Sequence, residues 1–552
     1  MRFLYIYGGS KDYKISINKR DFIYHINTGV LQTESDCLDD LRMIHDIALN
    51  IKVDYINYIN SLNRSFIENE LIYEKSISLF YFSDLFNKRS ELFDTYISIC
   101  HIIQIKNNII KKYKIDCIKT IECSDSFNVA LTSIINNFQI IIANEKKNKI
   151  SLLQSQISQC KYFFESIIKL IILKFYFNDK NIEDINSLFL TRYPLHFNKE
   201  FLENKYGSLV KSNDFYLISM LTDGLHQNLK IGNIKDYTKI LNKKNNVIFL
   251  DYHLKIIDFF YGFIKNVTLH IKSARLYNKQ YFFKGINITK YIQKEIHQSF
   301  IRIPRLLSYG SAIKKVFSKY NIKQSIFYLH EYSYGRYYNY ILAKYFPNVK
   351  RVGFQHGPAA KRKLLYYLGK NVVSNSFSEW LYKTPIPNTV LAEDELSKEV
   401  YDESGFNNVQ IMEKIYRLEY LKKIKRDKIV KNIVLIVPGL HDGLLMLEKL
   451  CLIIQDNPEQ QFILKPHPRS RHFALGIPEK YNFKNISLGN EHISKYLKRV
   501  SKVFVTYSSV GYEAYLLGIP VRVICLPNKI NESPLLDIYE KEKPDLISID
   551  WN

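Results

Sequence analysis

From about residue 430 the chain alternates short apolar runs with helical patterns, and this rhythm leaves it few folds. Asn432–Val437, Phe462–Lys465, Ile486–Leu488, Val503–Thr506 and Val521–Cys525 read as strands. Gly443–Gln455, His492–Lys498 and Gly511–Leu517 read as helices between them. Strands alternating with helices form a parallel sheet covered on both faces. The rhythm also occurs earlier, as strand Ser325–Leu329, helix Tyr337–Tyr345 and strand Val349–Phe354, a right-handed βαβ unit. Two such sheets in one chain enclose a cleft. Ligands of open parallel sheets sit beyond the carboxyl ends of the strands, so the loops there are where chemistry is sought.

The first half is less regular. Phe3–Tyr7, Ser78–Phe82, Cys117–Glu122 and Val247–Leu250 read as short buried strands, separated by long helical patterns such as Leu38–Asn63 and Leu152–Phe177. This predicts an α/β domain over 1–385 with a helical insertion at about 130–240. The Pro385-Ile386-Pro387 break then separates it from a second domain over 386–552. A length of 552 residues suits two or three domains and excludes a small binding module.

With 46% apolar and 24% charged residues, the composition excludes a largely disordered chain. The formal net charge of +24 points towards polyanions or an anionic membrane surface, although codon usage rich in Lys, Ile, Asn and Tyr accounts for it equally well. No RNP, zinc-finger or helix-turn-helix signature accompanies the charge, so nucleic acid is not an expected partner. Seven scattered cysteines without a C-x-x-C pair fit a reducing cytoplasm. The start, Met1-Arg2-Phe3-Leu4-Tyr5, reads as a strand and not as a signal peptide. Tyr162–Phe177 is the most lipophilic stretch, but it is short for a membrane span and carries Glu165, Lys169 and Lys174. It reads as a core helix, with an amphipathic helix lying on the bilayer as the alternative.

Three loops carry chemistry. After Phe462–Lys465 comes Lys465-Pro466-His467-Pro468-Arg469, where prolines lock the backbone around His467 between two cations, which makes a rigid anion site. The plain alternative is a proline turn with a surface histidine. After Val503–Thr506, Ser508 and Ser509 precede a helix whose N-terminal N–H groups favour a phosphate, with Glu513 one turn on, where a carboxylate accepts from a ribose diol. Alternatively Ser509 is only an N-cap. In the first half, Gln355-His356-Gly357-Pro358 ends one strand, and His330-Glu331 leads to Arg336 after its neighbour. Both loops belong at one sheet edge, where Gly357 lets backbone approach a ligand.

Strand–K-P-H-P, a gap of about forty residues, then strand–S-S-x-G-x-E-A resembles the donor half of bacterial surface-polysaccharide glycosyltransferases of the GT-B fold. Capsule Kdo transferases, His-Pro/Ser-Ser sialyltransferases and CDP-glycerol glycerophosphotransferases are the similar families. The resemblance spans about 385–530. It implies two Rossmann-like domains facing a cleft, with donor phosphate held by His467, Pro468, Lys465, Ser508 and Ser509, ribose near Glu513, and a glycine-containing donor loop at Gly439. The Q-H-G triplet resembles acceptor-side motifs, implying an acceptor site with Gln355, Gly357 and Arg336. There one of Glu331 and His356 takes the proton from the acceptor hydroxyl while the other orients it, with Glu331 favoured as the base. The acidic Asp-Gly signature of the sialyltransferases is missing in strict form, and only Thr222-Asp223-Gly224 and His441-Asp442-Gly443 come near it.

The expected function is therefore metal-independent, inverting transfer of a CMP-activated acidic sugar to a glycan or lipid-linked glycan. No D-x-D triplet or ligand spacing for a metal occurs. The nucleotide sugar is the only small-molecule partner expected, and there is no resident cofactor. The location is the cytoplasm or the inner-membrane surface. CDP-glycerol or CDP-ribitol phosphotransfer, UDP-sugar transfer, and a non-catalytic role in polysaccharide assembly are the alternatives.

Overall fold

The computed structural model describes every residue except 136–137, 145–151, 181–183, 199, 220–229, 329, 428–431, 441, 468–482 and 552. Three parallel sheets follow one another along the chain. The first contains β1 (Phe3–Tyr7), β2 (Phe22–His25), β3 (Asp36–Cys37), β4 (Cys117–Ile121) and β5 (Gln139–Ala143), in the order β3-β2-β1-β4-β5. The middle sheet contains β6 (Asp184–Arg192), β7 (Phe215–Ser219), β8 (Val247–Phe249), β9 (Asn321–Phe327), β10 (Lys350–Phe354), β11 (Thr389–Ala392) and β12 (Val409–Ile411), ordered β8-β7-β6-β9-β10-β11-β12. The last contains β13 (Ile433–Val437), β14 (Gln461–Leu464), β15 (Ile486–Leu488), β16 (Lys502–Val505), β17 (Val521–Ile524) and β18 (Ile547–Asp550), ordered β15-β14-β13-β16-β17-β18.

Each sheet thus runs outward from its first strand to its third, then returns to the other side for its fourth. This is the doubly wound order, and it leaves a crevice where the two directions part, between β1 and β4, β6 and β9, and β13 and β16. The two larger sheets are Rossmann-like units. The first sheet is an additional unit that the sequence reading did not separate.

The principal helices are α1 (Leu41–Ser61), α2 (Leu152–Tyr176), α3 (Ile256–Asn278), α4 (Thr289–Leu307), α5 (Ser333–Tyr345), α6 (Gly443–Gln455), α7 (Ser509–Leu516) and α8 (Pro534–Glu542). Alternation along β13 sends Leu435 and Val437 into one apolar layer and Val434 and Ile436 into the other, which is what a sheet covered on both faces requires. One continuous core joins the first and middle sheets, from Leu4 and Ile6 through Leu188 and Ile326 to Val390 and Met412.

Three expectations change. Ser78–Phe82 is a 3-10 turn over Leu79–Phe82 after a two-residue strand, because its apolar run is buried without a ladder partner along its length. Residues 130–240 hold α2 but also β5, β6 and β7, which pair into two sheets. The middle sheet also runs on past Pro385-Ile386-Pro387, since Val352–Phe354 pairs with Thr389–Leu391 and Val390–Ala392 with Val409–Ile411. The passage to the last sheet therefore lies between Ile411 and Ile433 and not at 385.

Candidate active site

The loops after β9 and β10 bring Glu331 and His356 together. Glu331 is fully buried, with His356 Nδ1 3.3 Å from one carboxylate oxygen and His330 Nδ1 3.5 Å from the other. None of these contacts is aligned as a hydrogen bond. Both Glu331 oxygens, both His330 nitrogens and His356 Nδ1 are buried without a hydrogen-bond partner. Burial pushes the Glu331 carboxyl up to about 7. It pushes His330 down to about 3, assisted by the Arg336 charge. His356 is held well below the ordinary imidazole value by burial first, then by the charges of Lys205 and Lys363. The cluster is a carboxyl group between two neutral imidazoles. His356 retains 17% side-chain exposure whereas Glu331 and His330 retain none, so the imidazole of His356 is the member facing outward.

Two acceptor-side expectations change on geometry, those for Arg336 and Gln355, while the one for Gly357 stands as it was. Arg336 does not face the cleft. Its guanidinium is buried and donates to the backbone oxygens of Glu331 and Tyr81 and to Asn87, so it shapes the turn that carries Glu331. Gln355 is also buried. Its amide donates to the Gly357 carbonyl at 2.8 Å and Ser397 at 2.9 Å and accepts from Glu393 N at 2.8 Å, clamping the loop. Gly357 has open space where a Cβ would stand, so no steric demand of the fold requires glycine there.

On the donor side, Ser508 caps α7 by accepting from Val510 N, and Ser509 donates to Glu513 at 3.2 Å. Glu513 is not unengaged, as Tyr420 donates to it and Arg417 lies 3.9 Å away. Arg417 in turn grips buried Glu393 with two donors, at 2.5 and 2.7 Å. Gly439 presses against Tyr507, with a would-be Cβ 2.5 Å from its ring, and its N–H donates to Thr506 Oγ1 at 2.9 Å. Asp442 is fully buried, accepts from Thr506 at 2.7 Å and pairs with Lys529, so it is a structural carboxylate and not a free base. Lys465 and His467 are partly exposed at the end of β14. Pro468, Arg469, Asp223 and His441 lie outside the described residues.

Lys205 joins the two sides. Its Nζ lies 3.4 Å from the His356 carbonyl oxygen, and burial lowers its pKa, with the Arg417 cation next in effect and Glu203, Glu393 and Glu513 opposing. Tyr366 feels Glu331 and Tyr332 together with Glu393 and Arg417, and its hydroxyl donates to the Gly357 carbonyl at 3.2 Å. Lys205, Arg417, Glu393 and His330 were not singled out in the sequence. Only His330, adjacent to Glu331, carried a signal there; the others meet through tertiary folding.

No protein-family model matches the chain, and no curated protein matches it. Solved structures overlap it loosely. A Methanocaldococcus jannaschii UDP-GlcNAc 2-epimerase in complex with UDP-GlcNAc and UDP is 10% identical, covering 66% of this chain and 88% of that one, with a TM-score of 0.35. The wall teichoic acid polymerase TagF soaked with CDPG is 9% identical, covering 72% and 81%, with a TM-score of 0.28. The catalytic domain of starch synthase IV from Arabidopsis thaliana, bound to ADP and acarbose, covers 42% and 62% at 9% identity and a TM-score of 0.25. Overlaps this loose assign no activity, and the chemistry rests on the residues.

Proposed function

We propose that the chain transfers an activated sugar, in the first instance a CMP-linked acidic one, from its nucleotide to a surface-glycan acceptor. The observation that carries the reading is the buried Glu331 carboxyl between two neutral imidazoles at the end of one Rossmann-like sheet, where His356 feels the charge of Lys205 and Lys205 in turn that of Arg417 and Glu513. Glycosyl transfer needs a base at the acceptor hydroxyl and positive charge or hydrogen-bond donors at the leaving phosphate. The difference in exposure supports the second of the two orders of roles that the sequence left open. His356 takes the acceptor proton, and Glu331 positions it and stabilises the imidazolium that forms. Lys465, His467 and the Ser508–Ser509 turn supply charge and donors to the departing nucleotide. The same base serves CDP-glycerol or CDP-ribitol phosphotransfer and UDP-sugar transfer, so the donor is decided by assay. Nothing in this division of roles calls for a metal ion.

The reading includes association with an anionic membrane surface. No helix among the described residues is long and apolar enough to cross a membrane. α2 and α3 nevertheless expose apolar stripes at helical spacing: Ile157, Phe164, Ile171 and Phe175 on one, and Ile257, Phe260, Ile264, Val267 and Ile271 on the other. The two helices pack together, with Asn266 donating to Gln156 at 2.6 Å and Gly262 pressed on Phe163. Lys174 sits near Lys315 and Lys255 with Asp258 among them, and this net positive fringe suits an anionic surface better than a second copy of itself. α2 is therefore both a core helix on its inner face and an amphipathic helix on its outer one.

Purified full-length protein incubated with CMP-, CDP- and UDP-linked donors tests the reading. Consumption of a CMP-linked donor, lost roughly 10²- to 10⁴-fold in His356→Ala and partly restored by added imidazole, is the expected result. Failure to consume any of the three donors would sink it.

A further inference from the structure

The Glu331 carboxyl makes no hydrogen bond, so its place beside His356 is set by the backbone that carries it and by what that backbone is tied to. The ties come from the first unit. Its connection from β3 to β4 lays residues 81–89 against the turn formed by residues 331–336. Ser83 accepts from Phe86 N and starts a short helix over Asp84–Asn87, which Lys88 ends in the left-handed region at a φ of 48°.

Asn87 is fully buried and uses both ends of its amide. Its Nδ2 donates to Asp84 Oδ1 at 3.0 Å and to Ser333 Oγ at 3.0 Å, and its Oδ1 accepts from Arg336 Nη2 at 2.5 Å. Arg336 donates from its other nitrogens to the Tyr81 carbonyl, at 2.7 Å, and to the Glu331 carbonyl, and its guanidinium lies 4.8 Å from the centre of the Phe86 ring. Asp84 is anchored in turn by α4, through the Arg302 guanidinium and through Ser299 Oγ, which accepts from Asp84 N at 2.8 Å. The Arg89 guanidinium lies 5.0 Å from the centre of the ring of Tyr332, the residue after Glu331. The turn is therefore gripped at Tyr332, Ser333 and Arg336 by residues about 250 positions earlier in the chain.

The position calls for an asparagine. Its side chain has a carboxylate on one side and a guanidinium on the other, so it must donate to the first and accept from the second. Aspartate would repel Asp84. Leucine, of similar shape, would leave Arg336 Nη2 and Ser333 Oγ buried without a partner. We infer that Asn87 of the first unit is a positioning residue for the Glu331–His356 pair, acting through the Arg336 guanidinium and Ser333; as a claim about turnover this rests on the transferase reading above.

Asn87→Leu and Arg336→Met, singly and together in the full chain, test it. Asn87→Leu should lower kcat roughly 10- to 100-fold, the loss that a shift of about 1 Å at a reacting group brings, with CMP affinity unchanged because the donor loops lie in the last domain. The double variant should be no slower than Arg336→Met alone, since the two residues act as one unit. Additive losses, a kcat within roughly twofold of the parent, or a fall in CMP affinity that matches the fall in kcat each overturn the inference. A second comparison needs no sugar. The gain in unfolding temperature at pH 8 that Glu331→Gln brings to the parent should shrink by roughly half or more in the Asn87→Leu background, because a carboxyl released from its buried turn titrates nearer its ordinary value. The groups that act on that carboxyl, His330, His356, Arg336 and Lys363, are the same within each pair of chains, so their own titration cancels. A gain of full size in the Asn87→Leu background, or no gain in the parent, overturns the inference. If no donor is consumed, the transferase reading falls and the thermal comparison alone decides the role of Asn87. Asn87→Ala takes the place of Asn87→Leu in every measurement if the latter fails to fold.

Discussion

Glu331 titrates near 7 in the fold, against about 4.3 for a glutamate in an unfolded chain. Between those values the folded protein holds a proton that the unfolded chain has released. The stability this confers is complete below the unfolded value and is lost as pH rises through about 7, in total roughly 4 kcal/mol. Glu331→Gln removes the titration, so the variant should unfold at a higher temperature than the parent at pH 8 and lose that advantage at pH 5. Thermal scans at the two pH values check this. His330 and His356 are neutral in both proteins, so their own linkage cancels in the comparison. Turnover should move the other way, because a glutamine no longer stabilises the imidazolium, and should fall by roughly 10²- to 10⁴-fold. Glu331, His356, His467 and the serines stood out in the sequence because strand ends, prolines and a helix start are local signals. Their roles did not, because the exposure that separates His356 from Glu331 comes from side chains far away in the chain.

The 3-10 segment Tyr416–Lys423 links the middle sheet to the last domain, and its side chains lie close to α7 and to the loop after β11. Arg417 is the residue on which both meet, and nothing local in the sequence marks it. Removing it leaves Glu393, 4% exposed, as a buried carboxylate without its counter-charge, a loss of about 3–5 kcal/mol. Arg417→Ala should therefore lower the denaturation midpoint clearly and weaken nucleotide binding, since Glu513 loses its neighbour. Arg417→Lys should recover only part of this because it lacks the planar fork. Chemical denaturation and CMP titration of both variants measure the effect. Elsewhere the elements were legible to within a few residues, as with β13, α6 and β17, because long apolar runs between turn signals admit one reading. Leu79–Phe82 was not, since four apolar residues pack equally well in a strand or a turn.

For the whole molecule, the exposed stripes of α2 and α3 predict binding to vesicles containing phosphatidylserine or phosphatidylglycerol, weakened by salt and absent on neutral phosphatidylcholine. Replacing Phe164, Phe175 and Ile264 together by Ser should abolish flotation without unfolding the chain, because all three side chains point away from the core. Flotation unchanged by that triple variant would remove the membrane from the reading.

The sequence by itself determined the parallel α/β class, the doubly wound C-terminal unit and the loops where chemistry gathers. These follow from periodicity and turn residues, which act over a dozen positions or fewer. Tertiary structure decided how many sheets there are, where the middle one ends, and which polar residues face a cleft. Those outcomes depend on which strands pair and which charges become buried together, and such contacts join residues more than a hundred positions apart, as His45 accepting from Asn531 N at 3.0 Å and Arg362 pairing with Asp537 at 3.2 Å illustrate.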